Sequence, residues 1–153
     1  MFSRQEASRI RQEFWTAFGL YMAPVHSADG EKINWINYKT SEKHVQFRMD
    51  AGSNEATIGI EMRHPDAGVR HLYMEQLQQV KKILEAHLGE SWTWQDEAED
   101  EHGKAFSRVY QQLPNVSVFR KDDWPALVSF FKPRIRALDA FWSEARYSFE
   151  ALR

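Results

Sequence analysis

The sequence predicts an α+β domain, with three helices packed on an antiparallel sheet of about six strands in the order α-βββ-α-βββ-α. Three observations carry this reading. Apolar residues recur at three- and four-residue steps in three segments, which is the helical period. Elsewhere they alternate with polar residues, which is the period of a half-buried strand. The gaps between alternating runs are short and rich in turn residues, so neighbouring strands pair antiparallel. With 153 residues, 42% of them hydrophobic, and a net charge of −2, the chain reads as one domain over residues 1–153.

The first helix opens at Ser3. Ser3 and Glu6 have the capping-box spacing, in which hydroxyl and carboxylate satisfy each other's free backbone N–H groups. Ala7, Ile10, Phe14, Phe18 and Tyr21 make its apolar stripe, and Gly19 and Pro24 bracket its end. Three strands are expected next. Ile33 to Tyr38 is β-branched and aromatic, Val45, Phe47 and Met49 alternate with polar residues, and so do Ala56, Ile58, Ile60 and Met62. The second helix starts after Asp66, a good N-cap, and buries Val69, Leu72, Tyr73, Leu77, Val80, Leu84 and Leu88 up to a stop at Gly89.

A second set of strands follows. Trp92 to Trp94 opens one, Asp100 to Gly103 turns it, Lys104 to Gln112 returns, and Val116 to Phe119 makes a short third. Asp122 or Asp123 then caps a long last helix, with Pro133 predicting a kink or break near Phe131–Lys132.

Composition removes whole classes of chemistry. There is no cysteine, so disulfides, thiolate metal sites and cysteine nucleophiles are excluded. The opening Met1 to Glu6 has no apolar core of a signal peptide, and no apolar run approaches the ~18 residues of a membrane span. A cytoplasmic protein without membrane association is expected. The near-neutral charge is uneven. Gly89 to Gly103 holds Glu90, Asp96, Glu97, Glu99, Asp100 and Glu101 and no Lys or Arg, which leaves the remainder mildly basic.

Two functional readings follow. The first is a non-enzymatic binding module for a protein or nucleic-acid partner, with Arg48, Arg108 and Trp94 as binding candidates. The second is a divergent Mg²⁺-dependent nuclease of the restriction type. Asp50 ends one strand and Glu61-Met62-Arg63 lies on its hairpin partner, so two carboxylates could hold Mg²⁺ while Arg63 steadies the charged transition state. Against it, Arg63 stands where such enzymes carry lysine, and arginine cannot act as a base. The first reading, without a cofactor, is preferred; Mg²⁺ enters only with the second. His64, Asp66 and His71 lack helical metal-ligand spacing, so no metal site is expected. The high aromatic content, 14% with six Trp and ten Phe, is assigned mainly to the core, and any excess would favour a homodimer.

Several strings give the chain a resemblance. They are Ser3 to Trp15, Glu31 to Thr40, Phe47 to Ala51, Ile58 to Glu61, Leu88 to Trp92, Ser107 to Tyr110, Asp123 to Pro125 and Phe131 to Ile135. On these the chain resembles the standalone bacterial form of domain-of-unknown-function family 4268. Related modules sit at the C-terminal end of larger bacterial proteins whose first part looks like a nuclease. The resemblance therefore implies a nucleic-acid-related or regulatory setting, and it brings no catalytic residue with it.

Overall fold

A computed structural model describes residues 2–153. The elements in chain order are α1 (Arg4–Met22), β1 (Gln46–Ala51), β2 (Glu55–Met62), α2 (Ala67–Gln79), α3 (Lys81–Leu88), β3 (Thr93–Glu99), β4 (Ala105–Pro114) and α4 (Trp124–Ala145), with a closing 3₁₀ segment at Arg146–Leu152. The four strands form one antiparallel sheet in the order β1-β2-β4-β3. The class is α+β as expected, but the six-strand, three-helix count is wrong: the described residues form four strands and four helices.

Each difference has a local cause. Ile33 to Tyr38 is not a strand. Asn34 turns the chain instead, since its side chain accepts the N–H groups of Ile36 and Asn37 at 3.1 Å each. Val116 to Phe119 is a turn, because Asp123 accepts the Ser117 N–H and the Ser117 hydroxyl accepts the Phe119 N–H. This occupies Asp123, which stands at the N-cap of α4 without capping it by its side chain. The expected single second helix is two, broken at Val80, whose φ of −108° and ψ of 18° leave the helical region. The last helix runs unbroken through Pro133. Pro133 and Ser129 both lie on the exposed side, so the carbonyl deprived of its donor faces solvent.

The helices gather on one face of the sheet. Phe47 of β1 meets Trp142 of α4 edge-on with ring centroids 5.8 Å apart. Ile58, Ile60 and Met62 of β2 and Val109 of β4 join Leu77 of α2 and Leu127, Phe131 and Leu138 of α4 in one continuous core. α1 packs Phe14 and Phe18 against Phe131. Tryptophans are mostly core, as expected: Trp35, Trp92 and Trp142 are buried.

Those tryptophans also hold the irregular stretch between α1 and β1. Trp35 Nε1 donates to the Val25 carbonyl at 2.9 Å, and Trp142 Nε1 donates to the Thr40 carbonyl at 2.8 Å. A buried carboxylate on α4 completes the attachment. Asp139 accepts the Ala28 N–H and the Tyr38 hydroxyl, both at 2.6 Å. Burial, with the hydrogen bond to Asp139 and its charge, pushes the Tyr38 phenol well above its ordinary pKa. No described helix is long and apolar enough to cross a membrane.

Candidate functional site

Strand register fixes which side chains share the face opposite the helices. Cross-strand partners lie on one face, so each register pair extends a row across the sheet. One row is Arg48, Gly59, Tyr110 and Thr93; the next is Gln46, Glu61, Arg108 and Gln95. A bulge in β3 between Gln95 and Ala98 then brings Ala98 opposite Phe106.

The centre of this face is paved by stacked guanidinium groups and aromatic rings. Arg108 lies 3.7 Å from the Tyr110 ring centroid and 5.6 Å from that of Phe106. Arg63 also lies over Phe106, 4.2 Å from its ring centroid. Gly59 makes room for Tyr110: a Cβ there would stand 3.0 Å from Tyr110 Cβ and 3.0 Å from the Val109 carbonyl oxygen. The two arginines differ in what they hold. Arg63 donates to Glu61 at 2.9 Å and to Asp100 at 3.1 Å, so its charge is neutralised twice. Arg108 donates Nε to the neutral Gln95 side chain at 2.9 Å, and no described carboxylate pairs with it.

The six candidates named from sequence fall into four places. Arg108 sits at the centre of the open face, half-buried. Arg48 and Asp50 lie on the same face at its rim, both exposed, because β1 is an edge strand. Glu61 is buried beneath the Arg63 side chain. Trp94 is on the opposite face: it pairs with Val109, packs against the core and takes Lys81 over its ring at 5.5 Å. Asp50 and Glu61 do not converge. Asp50 pairs with Thr57 and Glu61 with Gln46, four steps apart along the hairpin. At ~3.4 Å per step that is about 14 Å, more than two carboxylates sharing one Mg²⁺ at ~2.1 Å can span. Among the described residues no group of three or more His, Asp or Glu side chains is placed to hold a metal ion.

Phe106 and Tyr110 were not singled out by sequence reasoning. The signal was present: in Phe106-Ser107-Arg108-Val109-Tyr110 the alternation that buries Val109 must put Phe106, Arg108 and Tyr110 together on the other face. Two arginines near the end of the chain, Arg134 and Arg146, are engaged within it. Arg134 forks onto Glu90 through two bonds of 2.9 Å, and Arg146 donates to Tyr147.

Fold and site together define a small α+β module with one helix-covered sheet face and one open face paved by arginine and aromatic side chains. A family model described as a domain of unknown function, DUF4268, matches residues 10–146, and the chain belongs to that family. No curated protein and no solved structure matches the chain.

Proposed function

We propose that the domain is a non-enzymatic binding module that receives an anionic partner, single-stranded nucleic acid, on the open face of its sheet. One observation carries this reading: the Arg108 guanidinium is held over the Tyr110 ring, oriented by Gln95, with no described carboxylate to neutralise it. A fixed planar cation beside aromatic rings suits phosphate contacts and base stacking together.

Fluorescence anisotropy of labelled single-stranded DNA and RNA oligonucleotides tests it. The expected result is binding at roughly 50 mM salt that weakens at least tenfold by roughly 200 mM. Absence of binding at the lower salt would remove nucleic acid as the partner. Cleavage of the probe in Mg²⁺ would replace the reading with a catalytic one.

A further inference from the structure

The two edges of the sheet are unlike. The β3 edge is guarded by its bulge and by Asp96, Glu97 and Glu99. The β1 edge, Gln46-Phe47-Arg48-Met49-Asp50-Ala51, has no bulge, no proline and no lysine. A groove of about 570 Å³ runs beside it, walled by Trp15, Ile36 and Tyr38.

Which backbone groups face that groove follows from the hairpin. The Gly52 N–H donates to the Glu55 carbonyl at 2.8 Å, which makes Gly52 and Glu55 a hydrogen-bonded pair. Such pairs alternate along an antiparallel ladder. Asp50–Thr57, Arg48–Gly59 and Gln46–Glu61 are therefore bonded pairs, and Phe47, Met49 and Ala51 turn their N–H and C=O groups outward. Those of Phe47 and Met49 have no described backbone partner.

We propose that a second copy of this chain pairs antiparallel with β1 about a two-fold axis at Met49, joining two four-stranded sheets into one. Outward-facing groups can bond only to outward-facing groups, which restricts self-pairing to registers centred on a single residue. Centred on Arg48, the register sets Arg48 against Arg48. Centred on Asp50, it sets Asp50 against Asp50. Centred on Met49, it sets Arg48 against Asp50 of the second copy, twice by symmetry. These positions are non-hydrogen-bonded pairs, where cross-strand side chains approach most closely. Arg48 and Asp50 are both exposed, and neither has an ion-pair partner within the described chain. On the helix side the same register sets Phe47 against Ala51, large against small, and the two Met49 side chains meet beside the groove. The charges of this strand complement themselves, which singles out a second copy over an unrelated extended peptide. The inference does not rest on nucleic-acid binding, since it uses neither Arg108 nor Tyr110.

Sedimentation of the full chain tests it, with circular dichroism as the control for folding. The wild type is expected to shift from monomer to dimer with concentration. Arg48→Asp gives each copy two aspartates at the contact, and Asp50→Arg gives each copy two arginines. Each variant alone should self-associate roughly a hundredfold more weakly. A one-to-one mixture of the two should recover the dimer, because acidic and basic strands then face each other. Met49→Pro removes an outward N–H, keeps the β1–β2 pairing and should also yield a folded monomer. A wild type that stays monomeric at millimolar concentration overturns the proposal. So do folded charge variants that remain dimeric, or a mixture that stays monomeric.

Discussion

The Arg108 guanidinium rests on the ring of Tyr110, 3.7 Å from its centroid, and Gln95 fixes its orientation. Lysine at this position keeps the charge and loses the plane. Arg108→Lys should therefore weaken oligonucleotide binding about fivefold to tenfold and reduce its dependence on base stacking, with little change in thermal unfolding. Anisotropy titrations beside calorimetry check this. Equal affinity of the two proteins would place the contact elsewhere.

Gly59 sits between Arg48 and Tyr110 in the same row. A methyl group there would stand against a backbone oxygen that cannot move without disturbing the β2–β4 ladder. Gly59→Ala should cost about 1 kcal/mol and Gly59→Val about 3 kcal/mol of stability, read from urea unfolding. The valine variant should also lift the Tyr110 ring and release Arg108. A neutral Gly59→Val would mean that the ring and strand yield freely.

The residues that define the open face were partly legible before the structure. Alternation set the inward residues of β1 and β2, so their outward residues followed from parity; the same alternation in β4 went unread. The register of β4 between β2 and β3 was not legible, because nothing local says which strands pair. It is that register that unites Arg108 with Glu61 and Gln95. The side of Trp94 was not legible for a related reason: an isolated aromatic does not reveal its face until Val109 is known to be its partner. Ile33 to Tyr38 misled by its β-branched and aromatic content. The turn made by Asn34 and the anchoring of Trp35 and Tyr38 to distant residues outweighed strand propensity. The break at Val80 has no glycine or proline to announce it.

Asp139 couples α4 to the stretch between α1 and β1 through Ala28 and Tyr38. Removing the carboxylate leaves two donors without partners. Asp139→Ala should destabilise by about 2 kcal/mol, and Tyr38→Phe by about 1 kcal/mol. Because both break one network, the double variant should lose less than the sum of the two. Strict additivity in urea unfolding would show that the two residues act separately. Amide exchange should accelerate between residues 26 and 40 in either variant and remain slow in β2 and β4.

Glu90 is one group through which acid should act on stability. Burial alone would raise its pKa, but hydrogen bonds from Arg134, Trp92 and Gln111 and the Arg134 charge hold it below the ordinary carboxylate value. The folded protein thus binds this proton less readily than the unfolded chain does. Its contribution is complete above the unfolded pKa of about 4.3 and is lost as pH falls through the lower folded value. Glu90→Gln should cost about 1 kcal/mol near neutral pH, where the fork from Arg134 loses its anion. The gap between wild type and variant should stay constant down to about pH 5 and narrow steadily toward about pH 3. Urea midpoints measured across that range check this. Curves that remain parallel throughout would show that the Glu90–Arg134 pair adds nothing to the acid sensitivity of the fold.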